Sequence, residues 1–385
     1  MLLQLMGPDQ PGITAELMNL LAQHDADIDD VEQVAIRRQL VLGVIAKVSN
    51  SAVLHDEVAQ FAARYGLTAS LDPIDAAPTE RGLGVVVTVM APRVTPEDLS
   101  AIATAIAGAQ ANIDKIHRLA RYPVWAYELS VLGAPIEHVR RELAAVAKER
   151  HLDIAVQKLG ITRRAQRLVV LDVDSTLIQN EVIELLAAQR GCFDEVRAVT
   201  ESAMSGNLDF ADSLRHRVAL LEGLTLDQMQ AAREQMSLTP GARTFVRTLQ
   251  RLGFKVAIVS GGFTYFTDYL QQHLGLEYAF ANQLELIDGV ATGRVTGPIV
   301  DRRRKAELLR EIARAESIPL EQVVAVGDGA NDLDMLEVAG LGVAFNAKAV
   351  VQQAADTTVN VPYLDTLLFV MGISREEIDA ADLAG

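Results

Sequence analysis

Apolar residues recur along this chain in two rhythms. Over residues 1–160, alternating runs are interleaved with stretches whose apolar positions fall three and four apart, the periods of strands and amphipathic helices. Leu2 to Met6 predicts a strand, Gly7-Pro8-Asp9-Gln10-Pro11-Gly12 a turn, and Ile13 to His24 a helix with Leu17, Leu20 and Leu21 on one face. Two strands (Ile28 to Ile36, Leu40 to Val48), a helix (Ala52 to Tyr65) and a strand (Leu67 to Leu71) complete a βαββαβ order, the ferredoxin-like plan. The order returns in Gly84 to Met90, Pro96 to Ala109, Ile113 to Ala120, Val124 to Leu132, Ile136 to Arg150 and Ile154 to Leu159. Ala26-Asp27-Ile28-Asp29-Asp30-Val31 aligns with Ala111-Asn112-Ile113-Asp114-Lys115-Ile116, an internal repeat offset by 85 residues.

From Arg167 the rhythm changes to continuous apolar runs, as in strands buried on both faces. Leu168 to Leu171, Lys255 to Val259, Val323 to Val326 and Leu341 to Phe345 predict a parallel sheet whose strands alternate with helices. Asn180 to Gln189 reads as a helix, and the charge-rich, largely helical segment from Asp194 to Met236 as a cap over the sheet edge. Pro240-Gly241 opens a helix that ends at Gly253. Asp288-Gly289 marks a hairpin, expected beside the site as a flap. The fold class is therefore α/β: a Rossmann-like doubly wound parallel sheet with a helical cap, preceded by two ferredoxin-like domains. The expected domains are 1–78, 79–160 and 161–385, with the cap over 182–238. Arg163-Arg164-Ala165-Gln166-Arg167 reads as a solvated connector between the halves.

Composition narrows the function. Half of the residues are hydrophobic, enough for a large core, and the net charge of −16 argues against nucleic acid or an anionic membrane as partner. A small anionic substrate remains open, since a pocket can be locally positive. Cys192 is the single cysteine, so no internal disulfide forms and a reducing cytoplasm is expected. With no His beside it in any motif, Cys192 reads as a buried structural thiol. The N-terminus lacks a signal-peptide pattern, and no run approaches the ~18 apolar residues of a membrane span.

The strand ends carry the chemistry. Asp172 and Asp174 close the first strand, and a period of two points both to one side. That edge is where open α/β sheets bind ligands. Two like charges there need an offset, and a divalent cation is the simplest. The second strand ends in Ser260-Gly261-Gly262, whose amides and hydroxyl make an anion cradle. The third ends in Gly327-Asp328-Gly329-Ala330-Asn331-Asp332, and Asp301-Arg302-Arg303-Arg304-Lys305 opens a helix. Singly these are ordinary features: an Asp after a strand caps a helix, and basic runs are solvated. Their shared place at one edge favours a site.

Asp172-x-Asp174-x-Thr176, Ser260, Lys305 and Gly327-Asp328-Gly329-x-Asn331-Asp332 resemble the four motifs of the haloacid dehalogenase superfamily over residues 167–350. Asp172 to Leu177 with Glu181, and Leu208-Asp209-Phe210 followed by Ser213 to Val218, are similar to its phosphoserine phosphatase family. Gly7-x-Asp9-x-Pro11-Gly12 with Asp27-Ile28 resembles the ACT domain, an amino-acid-binding regulatory module. In the second copy Ala91-Pro92-Arg93 replaces the glycine turn. ACT modules joined to this domain resemble the longer bacterial form, including the mycobacterial type.

The resemblance implies hydrolysis of O-phospho-L-serine through an aspartyl-phosphate. Asp172 is then the nucleophile and Asp174 the general acid and base. Mg²⁺ is implied at Asp172, the Asp174 main-chain carbonyl and Asp328, consistent with an oxygen-only donor set. Lys305, Ser260, the Gly261 amide and Asn331 hold the phosphoryl oxygens, and Asp332 orients a water or Lys305. Arg217 takes the substrate carboxylate and Glu181 its ammonium, with Met204 and Phe210 screening water. Gly7, Asp9 and Gly12 form the possible effector site, with L-serine as the candidate effector, and a homodimer is expected through the ACT modules. The alternatives are the same chemistry on another small phosphomonoester or a phosphoprotein, and a regulatory protein with an inert phosphatase half. No lost motif residue marks the latter.

Overall fold

The computed structural model describes residues 1–48, 51–74, 84–160, 163, 165–204 and 210–384. The chain forms two compact units, residues 1–80 and 81–385. The first contains β1 (Leu2–Pro8), α1 (Ile13–Gln23), β2 (Asp27–Ile36), β3 (Gln39–Lys47), α2 (Ser51–Tyr65) and β4 (Thr68–Asp72). Its sheet has the order β2-β3-β1-β4, with antiparallel neighbours. Alternation puts Leu3, Leu5, Leu40, Leu42 and Val44 on one face, where Leu17 and Leu21 of α1 and Leu54 and Val58 of α2 complete the core. The edge strand β2 is exposed throughout.

The second unit opens with the repeated module: β5 (Gly84–Ala91), α3 (Pro96–Gly108), β6 (Asn112–Ala120), β7 (Trp125–Leu132), α4 (Ile136–Arg150) and β8 (Asp153–Lys158). Its sheet order, β6-β7-β5-β8, reproduces that of the first copy. A seven-stranded sheet follows, in the order β12-β11-β10-β9-β13-β14-β15. Its strands are β9 (Leu168–Leu171), β10 (Lys255–Phe263), β11 (Tyr278–Ile287), β12 (Val290–Thr296), β13 (Val323–Gly327), β14 (Leu341–Phe345) and β15 (Thr357–Val359). All neighbours are parallel except β11 and β12. Alternate residues of the central strands enter two cores. Val169, Leu171, Val256 and Ile258 pack with Phe245, Leu249 and Phe266 of α9 (Ala242–Arg251) and α10 (Thr264–Leu274). Leu168, Val170, Ala257 and Val259 pack with Leu308, Ile312 and Met335 of α11 (Arg302–Ala315) and α12 (Leu333–Val338). Burial on both faces explains the unbroken apolar runs.

The cap lies between β9 and α9: α5 (Val182–Arg190), α6 (Phe193–Met204), α7 (Phe210–Ala219) and α8 (Leu226–Glu234). Its two ends are tied where Ile178 pairs with Leu238, with the Gln179 N–H on the Ser237 carbonyl at 2.9 Å and the Thr239 N–H on the Leu177 carbonyl at 3.0 Å.

Two expectations are corrected. The hairpin is not a separate flap, because β11 lies parallel to β10 and extends the sheet. The basic link is solvated only in part: Arg167 is exposed, Arg164 lies outside the described residues, and Arg163 and Gln166 are buried. Arg163 is buried and donates to Glu128 at 2.6 Å and to the Val370 carbonyl at 3.1 Å. Those acceptors exist because the second module shares one core with the large domain. Met90, Leu119, Ala126 and Ala155 lie in the same cluster as Leu364, Leu367 and Phe369. The Asp153 carboxylate accepts from the Asn360 N–H at 2.8 Å, the Val361 N–H at 3.1 Å and the Asn360 side-chain amide at 2.9 Å.

Candidate active site

Four segments meet at the C-terminal edge of the large sheet. β9 ends at Leu171, and Asp172 donates its N–H to the Val326 carbonyl at 2.9 Å. The chain then enters a tight turn over Val173–Leu177. Asp172 and Asp174 are therefore brought together by that turn and not by the strand pleat. Ser175 sits at φ +57°, a region a side chain rarely adopts. Its hydroxyl donates to Glu181 at 2.7 Å.

Lys305 projects from the first turn of α11, whose start is fixed by the Arg304 N–H on Asp301 at 2.7 Å. The side chain is fully buried. Its ammonium donates to Asp172 at 2.6 Å and to Asp332 at 2.7 Å. Burial opposes its charge, but the two carboxylates outweigh that and hold it firmly protonated. Asp332 also accepts from the Gly329 N–H at 3.0 Å.

Asp174 is clamped at both oxygens, by the Val182 N–H at 2.7 Å and the Ser260 hydroxyl at 3.0 Å. Ser260 in turn accepts from the Gly262 N–H at 2.7 Å. The two glycines allow this approach. A Cβ on Gly262 would lie 3.1 Å from Asp174 Oδ2, and one on Gly261 would lie 3.2 Å from the ring of Phe210.

The site is strongly acidic, with Asp172, Ser260, Lys305 and Asp332 buried at its base and Glu181 exposed at its mouth. Burial, then the charge of Asp332, pushes Asp172 well above the usual carboxylate range, with Lys305 opposing. Burial raises Asp174 despite its two hydrogen bonds. Burial and Asp332 raise Asp328 to about 6, and burial and Asp174 raise Glu181 to about 7. Arg217, on α7, is lowered by burial, while Glu181 and Asp174 act on it in the opposite sense. Asp172, Asp328 and Asp332 each offer a carboxylate oxygen, all within 4.8 Å of one another. Three hard oxygen donors at that spacing fit a small divalent cation.

Most residues singled out in the sequence thus converge here. Asp172, Asp174, Ser260, Lys305, Asp328 and Asp332 form one cluster, and Phe210, Glu181 and Arg217 approach it from the cap side. Asn331 lies in the short turn 330–332, beside Asp332. Met204 ends α6, but its side chain lies outside the described residues, as do Leu208 and Asp209. Cys192 is elsewhere. Its thiol contacts the Leu220 carbonyl at 3.4 Å and is raised by burial. In the first unit, Gly7, Asp9 and Gly12 line the β1–α1 turn. The Asp9 N–H donates to the Arg38 carbonyl at 2.8 Å, and Gly12, at φ +98°, starts α1 without a side-chain cap. The second copy closes its helix start with a Thr95–Asp98 capping box, so that turn is occupied by its own side chains.

Asn282 was missed, and Thr176 and Ser175, quoted within the first motif, had been given no role. Asn282, buried on β11, donates to the Gly261 carbonyl and accepts from the Val300 N–H, both at 2.8 Å. The Thr176 hydroxyl donates to Asp328 at 3.2 Å, and Ser175 holds Glu181. A lone Asn within an apolar strand was the available signal for the first.

A carboxylate facing a buried lysine, a second carboxylate two residues on, and an acidic cation cluster beneath a helical cap define a haloacid dehalogenase-like hydrolase. The family model of that description matches residues 166–340, and two ACT-domain models match 1–71 and 84–157. The phosphoserine phosphatase of Streptomyces coelicolor is 53% identical, over 99% of this chain and 94% of its own. That of Mycobacterium tuberculosis is 46% identical, over 99% and 95%. A crystal structure of a probable phosphoserine phosphatase from Vibrio cholerae superposes with a TM-score of 0.62 at 34% identity, covering 80% of this chain and 91% of the other. The chain belongs to the phosphoserine phosphatase family.

Proposed function

We propose that this enzyme hydrolyses O-phospho-L-serine to L-serine and phosphate, and that Asp172, the Asp174 main-chain carbonyl and Asp328 would hold Mg²⁺. The carrying observation is Asp172 against Lys305 at 2.6 Å, with Asp174 fixed by Ser260 beside it. A carboxylate attacks a phosphate only where charge is neutralised, and Lys305 supplies one positive charge at that point. A cation held by these residues would supply further charge neutralisation at the phosphoryl oxygens. Asp172 Oδ forms a bond to phosphorus as the bond from phosphorus to the serine oxygen breaks. Asp174 gives its proton to that oxygen. Burial raises the Asp174 carboxyl above its ordinary value, which favours the protonated form that the step needs. Water then attacks the phosphoryl group and gives a proton to Asp174 as the bond from Asp172 to phosphorus breaks, which restores both carboxyl groups and releases phosphate. Ser260, the Gly261 amide and Asn331 bind the other oxygens. Arg217 holds the substrate carboxylate and Glu181 its ammonium, while Phe210 covers the phosphate loop.

L-serine is the proposed effector at Gly7, Asp9 and Gly12. The exposed edge strand β2, with Val34 and Ile36 open to solvent, supports a homodimer through the first module. Among the described residues no helix is long and apolar enough to cross a membrane, and a cytoplasmic place is proposed from the single cysteine. The test is phosphate release with Mg²⁺ from O-phospho-L-serine and from p-nitrophenyl phosphate, for the wild type and Asp172→Asn. The expected result is a strong preference for phosphoserine and loss of turnover in the variant. Equal rates on both esters, or an active variant, would reject the proposal.

A further inference from the structure

The β11–β12 hairpin also grips the cap. The Gly223 N–H donates to the Ala291 carbonyl at 2.8 Å, the Ala291 N–H to the Leu224 carbonyl at 2.8 Å, and the Leu226 N–H to the Gly289 carbonyl at 3.1 Å. Thr225 and Val290 pair as antiparallel neighbours. The segment joining α7 to α8 thus adds a short third strand to the hairpin. One position decides how near α7 comes. Gly293 lies at φ +76°, and a Cβ there would sit 3.1 Å from Glu222 Cβ, 3.2 Å from Ala219 O and 3.3 Å from Ala219 Cα. Two of those atoms are backbone, which cannot swing aside. Ala219 ends α7, and Arg217 lies two residues before it. The other end of α7 is set by Phe210 against Gly261.

We propose that the hairpin is a specificity element. It holds α7 at the depth where Arg217 meets the substrate carboxylate, and Gly293 is the positioning residue that permits that depth. This rests on the role given to Arg217 above. A side chain at 293 displaces the C-terminal turn of α7 and moves the guanidinium. Asp172, Lys305 and the Ser260 loop belong to other elements and stay in place. Recognition of the amino-acid part then fails while phosphoryl transfer persists.

The test is Gly293→Ala in the full chain with Mg²⁺, with kcat and KM measured on O-phospho-L-serine and on p-nitrophenyl phosphate. A displacement near 1 Å can cost ~10²-fold, so KM for phosphoserine should rise at least about tenfold, while kcat/KM for p-nitrophenyl phosphate stays within about twofold. Adding Arg217→Ala to Gly293→Ala should raise KM no further than Arg217→Ala alone. An unchanged KM, or equal losses on both esters, overturns the proposal. A wild type that does not prefer phosphoserine overturns this reading and the one it rests on; a selective wild type with an unchanged variant overturns this one alone. Should Gly293→Ala not fold, hydrogen exchange on the wild type decides. The amides of Gly223, Leu226 and Ala291 should exchange as slowly as those of β10, and exchange within about tenfold of open-loop rates overturns the proposal.

Discussion

Replacing Lys305 with methionine leaves two buried carboxylates without their common counter-charge. The ammonium lies 2.6 Å from Asp172 and 2.7 Å from Asp332, all three groups being buried. At an effective dielectric of ~20 each contact amounts to about 6 kcal/mol. Most of that offsets the removal of three charges from water, and breaking such a buried set typically costs ~3–5 kcal/mol. For a domain of this size the melting temperature should fall on the order of 10 °C. The signature is in the pH dependence. Asp172 is already held above its ordinary range, chiefly by burial, and losing the ammonium raises it further. A carboxyl raised in the folded state stabilises below its unfolded pKa, and that contribution is lost as pH rises through the folded value. The Lys305→Met deficit should therefore be small near ~pH 5, where a carboxylate can take a proton, and full near ~pH 8. Urea unfolding of the metal-free chain at both pH values measures it. Adding Asp332→Asn should restore about half of the loss at the higher pH. A deficit equal at both pH values, or below about 1 kcal/mol, would refute the counter-charge argument.

Glu181, raised to about 7, must be ionised to hold an ammonium, so KM for phosphoserine should fall as pH rises through that value. Glu181→Gln should flatten the change, and a profile identical to wild type would exclude the pairing. Asp328 is raised to about 6, so its contribution to metal-free stability should be lost as pH rises through that value. Asp172 and Asp174, also raised, act in the same sense, and a bound cation reverses this by favouring the charged forms. Differential scanning fluorimetry should find a larger Mg²⁺-induced rise in Tm at ~pH 8 than at ~pH 5.5, and equal shifts would contradict the assignment.

The core of the site was legible because its chemistry sits at the ends of short, wholly apolar strands. Leu168 to Leu171 and Val323 to Val326 can only be buried on both faces, and the polar residues that follow them must then gather at one edge. The supporting contacts were not legible, since they depend on approaches between segments far apart in the chain. Thr176 meets Asp328 across 152 positions, and Asn282 reaches the Gly261 carbonyl only because β11 lies beside β10. β11 itself was overlooked as a sheet strand. Its Tyr-Ala-Phe-Ala-Asn run mixes half-buried positions with a buried polar one. The Arg163 link was misjudged because charge at a domain junction looks solvated until the junction proves dry.

The junction between the second module and the large sheet also decides where this protein can be cut. A fragment starting at residue 161 would strip Met90, Leu119, Ala126 and Ala155 from Leu364, Leu367 and Phe369, and would leave the Asn360 and Val361 amides to water in place of Asp153. Wet, sticky surface would replace an interior wall. A piece that begins ahead of β5 keeps this wall intact and should melt higher than one cut at residue 161.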